Sequence, residues 1–397
     1  MTKPLALGVV LLALVAASPA SGKSGDFYAL RYGAKLNLLV PYDPVRVVPS
    51  GRSIRLGQFG HAWSISPDRS RLVVAPSSSR ATQDGSAGLR FVDLESGQVE
   101  GTMSLPGEQR RVTATAWVRG RVLAVVSGSD STTVYAVDPR QRTVVSQVEF
   151  PGAVVLGERT AGSVLLLLAT PGAIVPATVA VVDHRPRVKT VQLDRISIGT
   201  TFSGTGSDRR TIVQRPGLAL APSGLRAFVF GAGEPTAVVD LRTLSVRYPS
   251  VRMTAAFTKQ AEGSVRTAAT LPDGRIVVSG YRLGEAGSTT LELVNPNDWT
   301  SRALAPPTSW FRVGGGMVFT HGTRGTGLRI LRPSGDAIEL FRGRAVGNVF
   351  VIGPRAFVTF FGTDQKAAVV VLGTGRIVRQ TVPAHPLIGA GQPIFVG

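Results

Sequence analysis

The side chains that could do chemistry are few and widely spaced. The chain has 397 residues, no cysteine and only four histidines, His61, His184, His321 and His385. No His-x-x-x-His pair and no carboxylate triplet stands at metal-ligand spacing. No Gly-x-Ser-x-Gly turn precedes a helix, so a nucleophile elbow is missing. Gly314-Gly315-Gly316 and the run Gly322 to Gly327 look like phosphate loops, but no helix follows either, and both read as hairpin turns. What remains is charge. Lys+Arg number 44 against 25 Asp+Glu, a net charge of +19, and 38 of the 44 are arginine. Such an excess attracts anionic polymers, lipid headgroups or nucleic acid. The arginines are scattered rather than grouped in basic runs, which reads as a solvated basic surface, and nucleic acid is not an expected partner.

The elements that must position these residues are strands. In the block Ala62 to Pro106, Trp63–Ser66 reads as a first strand and Arg71–Ala75 as a second. Gly88–Asp93 reads as a third and Gln98–Leu105 as a fourth. Ser66-Pro67-Asp68 and Glu95-Ser96-Gly97 turn the chain, and their Pro, Asp and Gly serve turn geometry. The pattern recurs. Third strands end on Phe91-Val92-Asp93, Ala136-Val137-Asp138, Val181-Val182-Asp183, Val238-Val239-Asp240 and Leu293-Val294-Asn295. Four strands in each 40–50 residues is the pattern of a β-propeller blade. Seven blades are expected over 61–106, 110–150, 151–193, 194–250, 251–305, 306–345 and 346–383. An eighth is expected to be composite, from 36–56 and the C-terminal stretch 385–397, and to close the ring; a seven-bladed ring is the alternative. Thr160 to Val182 is uncharged, yet Pro171, Gly172 and Pro176 interrupt it, so it reads as two buried strands.

Residues 1–22 are expected to be a secretory signal peptide. Lys3 precedes an apolar run, Leu5 to Ala17, that is short for a bilayer span, and Ser18-Pro19-Ala20 offers a small-residue cleavage site. The propeller is then 23–397, with no transmembrane segment after cleavage. The absence of cysteine suits a large bacterial exported β protein.

The Ser-Pro-Asp turn, the Leu-Val-Val second strand, the Val-Val-Asp third strand and the "SGQV" and "TLSV" turns resemble the bacterial exported YVTN/WD40-like β-propeller superfamily. The resemblance covers about 27–397. It implies an all-β propeller. It does not fix a function, since members of that group are scaffolds, enzymes and redox-protein domains. Trp-Asp dipeptides are missing and Gly60-His61 is the one Gly-His pair, which departs from the intracellular WD40 pattern.

Long connections, Pro76–Gly88, Asp194–Pro216, Ser250–Gly263 and Ser279–Ser288, are expected on one face as the working face. His61, Arg111, Arg215, Glu262, Trp310, Asn348 and His385 fall at the starts of innermost strands, where they would ring a channel mouth. Such a ring would suit an anionic or sugar-like ligand. The expected function is a non-enzymatic binding scaffold in the periplasm, cell wall or medium. Its partner would be a protein, a glycan or an anionic cell-envelope polymer. No cofactor is expected, and the chain is expected to be a monomer. The alternative is a metal-dependent lactonase-like hydrolase or lyase, which would bring a divalent metal.

Overall fold

A computed structural model describes residues 9–12, 27–31, 36–42, 51–76, 88–106, 111–160, 162–204, 210–231, 236–251, 263–282, 291–305, 310–321, 326–332, 334–352, 354–360 and 366–383. Among them are 33 strands and no α-helix. The first sheet is β1 (Val9–Leu12), β2 (Phe27–Arg31), β3 (Asn37–Tyr42) and β4 (Ile54–Gly57), in sequence order. The second is β5 (Phe59–Ile65), β6 (Arg71–Pro76), β7 (Gly88–Asp93) and β8 (Gln98–Ser104). The third is β9 (Arg111–Val118), β10 (Arg121–Ser127), β11 (Ser131–Asp138) and β12 (Thr143–Pro151).

The fourth run is β13 (Ala153–Arg159), β14 (Ser163–Ala169), β15 (Ile174–Asp183) and β16 (Val188–Ser203), continued by β17 (Arg210–Arg215). Then come β18 (Gly217–Leu220), β19 (Arg226–Phe230), β20 (Thr236–Asp240) and β21 (Val246–Arg247). The sixth run is β22 (Gly263–Thr270), β23 (Ile276–Arg282), β24 (Leu291–Val294) and β25 (Ser301–Ala305). The seventh is β26 (Trp310–Gly314), β27 (Met317–His321), β28 (Leu328–Leu331) and β29 (Ala337–Leu340). The last is β30 (Val346–Ile352), β31 (Arg355–Phe360), β32 (Lys366–Val371) and β33 (Ile377–Pro383).

Each run is a four-strand antiparallel meander, as the repeat implies. The apolar second strands explain themselves by burial. Leu72–Ala75, Val122–Val125 and Leu165–Leu167 are fully buried, whereas β12 is mostly exposed. A strand packed on both faces reads as a continuous apolar run rather than an alternating one. Thr160–Val182 resolves into β14 and β15 joined at Pro171-Gly172.

Two expectations need correction. The place of first and second strands beside β3 and β4 is taken by β1 and β2, from the N-terminal side. The composite sheet with C-terminal strands is therefore not formed among the described residues, and 384–397 lie outside them. Phe27–Arg31 pairs residue for residue with Leu38–Tyr42, which satisfies the β3 edge locally. Second, within the expected loop Asp194–Pro216 the stretches Asp194–Ser203 and Arg210–Arg215 are strand. The end of β16 turns back through β17, and β17 joins β22 in parallel at Val213–Gly263, Gln214–Ser264 and Arg215–Val265. The Ser264 hydroxyl donates to Gln214 Oε1 at 2.6 Å across that join.

The chain divides into two units, one of Met1–Gly60, Val92–Glu100 and Trp310–Gln392, the other of His61–Phe91, Gly101–Ser309 and Pro393–Gly397. In the first unit, Phe319, Ile330, Val349, Val358 and Phe360 form a core where β26–β29 face β30–β33. In the second, successive meanders pack the same way. Trp117, Tyr135 and Phe91 share one cluster, and Phe228, Phe230, Ile276 and Val294 share another. Gly217 shows how close β18 and β22 lie: a Cβ there would stand 3.0 Å from the Ala268 backbone nitrogen.

Candidate functional site

The turns between third and fourth strands are one device repeated. Asp93 Oδ1 accepts the backbone N–H groups of Glu95 and Ser96, both at 2.8 Å. Asp138 Oδ1 accepts those of Arg140 and Gln141, at 2.9 and 3.0 Å. Asp240 Oδ1 accepts those of Arg242 and Thr243, both at 3.0 Å, and the Thr243 hydroxyl. Asn295 Oδ1 accepts the Asn297 N–H at 3.2 Å. The fifth residue then bonds back to the first carbonyl, at 2.8 Å for Arg142–Asp138, Leu244–Asp240 and Trp299–Asn295. That residue is left-handed, with φ +56° at Arg142, +59° at Leu244 and +59° at Trp299. The hydrogen bonds hold the Asp138 and Asp240 carboxyls below their ordinary pKa, the donor at Gln141 leading in the first and that at Thr243 in the second. The acidic ends of the third strands are thus turn caps, as the Pro/Asp/Gly chemistry predicts.

Two of these turns frame an open cleft of about 420 Å³ in the second unit. From one meander come Pro222, Ser223 and Leu225 of the β18–β19 turn, Arg226 and Phe228 of β19, Asp240 and Arg242, and Arg247 of β21. From the next come Gly274, Pro296, Asn297 and Trp299. Arg226, Arg242 and Arg247 are exposed, and Asp240 is the one acidic group among the described lining residues. Arg226 lies close enough to Asp240 to favour its charged form. Among the described residues, none of the three guanidinium groups donates a hydrogen bond. Half-buried Trp299 packs edge-on against buried Phe228. A neighbouring cleft of about 300 Å³ shares Gly274, Pro296 and Asn297, and Arg275 is paired to Asp273 in its wall at 2.6 Å. Cations around an aromatic ring recognise anions that carry an apolar or ring face.

Elsewhere His321, Arg266 and Glu292 are buried. His321, 7% exposed, donates from Nδ1 to the Val346 carbonyl at 3.1 Å. Burial, and then the charge of Arg312, push its pKa down to about 4 against that bond. Arg266 on β22 and Glu292 on β24 are both buried; burial lowers the Arg266 pKa to about 10 while Glu292 opposes it. Desolvation alone lifts half-buried Glu158 on β13 to about 7. Among the described residues no three His, Asp or Glu stand together as a ligand set.

The sequence-derived ring is distributed as follows. His61 is in β5, Arg111 opens β9 and half-buried Arg215 ends β17, two residues before β18. Trp310 opens β26 and Asn348 lies in β30, both in the other unit. Glu262 and His385 lie outside the described residues, as do 77–87, 252–262 and 283–290 of the long connections and the run 322–325. Apart from Trp299, nothing in the sequence marks the cleft, because Pro222, Ser223 and Asn297 all stand in tight turns. Trp299 stands at the turn position where Asp93-Leu94-Glu95-Ser96-Gly97 has glycine.

No family model and no curated protein sequence matches the chain. Solved structures do. The dihydro-heme d1 dehydrogenase NirN in complex with DHE aligns over 96% of this chain and 81% of its own, at TM-score 0.57 and 12% identity. Apo AztD from Citrobacter koseri aligns over 93% and 96%, at 0.51 and 11%. The β-propeller domain of the Trilobed protease from Pyrococcus furiosus aligns over 85% and 96%, at 0.47 and 12%. At such identities the likeness speaks for the fold alone. With the repeated meanders, it makes this chain an all-β protein of the β-propeller class. No helix among the described residues is long and apolar enough to cross a membrane.

Proposed function

We propose that the chain is an exported, YVTN/WD40-like propeller of eight blades that acts as a non-enzymatic scaffold for an anionic partner in the cell envelope. The observation that carries this reading is how the charges are used. The Asp240 carboxylate at the end of a third strand is occupied by turn N–H groups, while Arg226, Arg242 and Arg247 around the same turn donate no hydrogen bond among the described residues. Acid–base or metal chemistry needs carboxylates released from structural duty. Display of charge on a rigid frame needs only the frame. Export is inferred from the apolar run Leu5–Ala17 and the small residues after it; Val9–Leu12 of that run forms β1, so cleavage would leave the first blade with β2, β3 and β4.

The test is co-sedimentation of the purified chain with bacterial cell walls, intact and stripped of acidic polymers. Retention on intact walls and its loss on stripped walls is the expected result. Equal retention on both overturns the anionic-partner reading. A melting temperature that falls on EDTA treatment would instead favour the metal-dependent hydrolase.

A further inference from the structure

We propose that the cleft between the two turn systems of β18–β25 binds the carboxylate-bearing sugar residues of an acidic glycan, a hexuronate being the simplest case. The proposal rests on the scaffold reading and narrows it to one site and one ligand chemistry. Among the described lining residues Arg226, Arg242 and Arg247 face a single acid, Asp240, so that lining is net positive. Asp240 is already engaged by two backbone N–H groups and the Thr243 hydroxyl, and it leaves the outer arginines uncompensated. Arginine forks match a carboxylate in two parallel hydrogen bonds.

The rest of the lining selects for what the carboxylate is attached to. Half-buried Trp299 offers indole surface, which suits the C–H face of a sugar ring. Ser223 accepts the Leu225 N–H at its oxygen and keeps its hydroxyl proton for donation, and the Asn297 side-chain amide is exposed. Both suit sugar hydroxyls. A bare phosphate would use the guanidinium groups and leave these three side chains idle. The volume, about 420 Å³, lies within the roughly 300–1,000 Å³ of small-ligand sites. The walls are held on both sides by capped turns, so the site needs little ordering on binding.

Trp299 makes the site testable apart from folding. Its φ of +59° is a glycine conformation, so Trp299→Gly removes the indole and relieves the backbone in one step. The full-length chain is titrated calorimetrically with trigalacturonate, with galactotriose as the neutral arm and inorganic phosphate as the bare-anion arm. Variants are Trp299→Gly, the double Arg242→Ala/Arg247→Ala, and Arg140→Ala/Arg185→Ala as an equal charge loss at exposed turns elsewhere in the unit. Trigalacturonate alone is expected to bind saturably. The first two variants are expected to lose about tenfold or more and the last to stay within about twofold. Equal losses in the two double variants, phosphate binding as tightly as the uronate, or no uronate binding each overturn the proposal. If cell-wall retention persists in the cleft variants, the site assignment fails while the scaffold reading stands.

Discussion

The indole of Trp299 meets the ring of Phe228 edge-on, centroids 6.1 Å apart and planes at 64°. The contact ties a turn of one meander to the second strand of the one before it. It also fixes a bulky residue in the left-handed region, where Gly97 and Gly375 stand in the corresponding turns. A non-glycine residue there costs about 1–2 kcal/mol, and an edge-on pair returns about 0.5–1.5 kcal/mol beyond its burial. Strain and contact are comparable. Trp299→Gly is therefore expected to cost less than about 2 kcal/mol, while Trp117→Ala costs about 3–5 kcal/mol. Trp117 is buried and donates from Nε1 to the Ser64 carbonyl at 3.1 Å, with no backbone strain to relieve. Urea midpoints of the two variants check this.

Asp138 shows what the turn caps contribute. Its carboxylate accepts two backbone N–H groups and pairs with Arg121. Asp138→Ala strands both donors at a half-exposed turn and is expected to cost about 1–2 kcal/mol at pH 7. Because the folded pKa is depressed, the stabilisation is present above the ordinary value of 3.8 and fades as pH falls through the folded one. The gap between wild type and variant should narrow toward pH 3, read from denaturation curves at the two pH values.

His321 depends on pH in the same direction but from a different cause, the burial of its ring. Its folded pKa of about 4 lies below the ordinary value of 6.5, so the unfolded chain binds the proton more tightly between them. Stability is full above about pH 6.5 and declines as pH falls toward 4, by roughly 2–3 kcal/mol. His321→Asn keeps a donor toward the Val346 carbonyl and loses the titration. Its stability should be flatter across that window than that of the wild type, measured as melting temperature against pH.

Much of this frame was legible from the chain because its signals are local. Leu72–Ala75 and Leu165–Leu167 are apolar because both faces are packed, and Asp93, Asp138 and Asp240 end strands because the next turn needs an acceptor. What was not legible depends on distant pairing. Thr211 and Val213 look like part of a polar connection until β16 and β22 appear on either side of them. Phe27–Arg31 carries no repeat motif and becomes a strand only against β3. The cleft was hidden for a further reason: Pro222 and Asn297 have a sufficient role as turn residues, so nothing in the sequence marks them as lining.

The buried pair Arg266–Glu292 separates stability from ligand recognition, since neither residue lines the cleft. Glu292→Leu alone leaves the guanidinium buried without its charge partner and is expected to cost about 3–5 kcal/mol. The double change Arg266→Met/Glu292→Leu should recover most of that loss. Denaturant midpoints of both variants check it, and calorimetric titration with trigalacturonate should give the double variant wild-type affinity.

The central claim, that this propeller holds an acidic partner through charge on a rigid frame, is tested most directly by its binding to an immobilised polyuronate as salt is raised. The account predicts saturable binding that weakens about tenfold between roughly 50 and 200 mM salt, with no retention on the matching neutral polysaccharide. Binding that ignores salt, or equal retention on the neutral polymer, would contradict it.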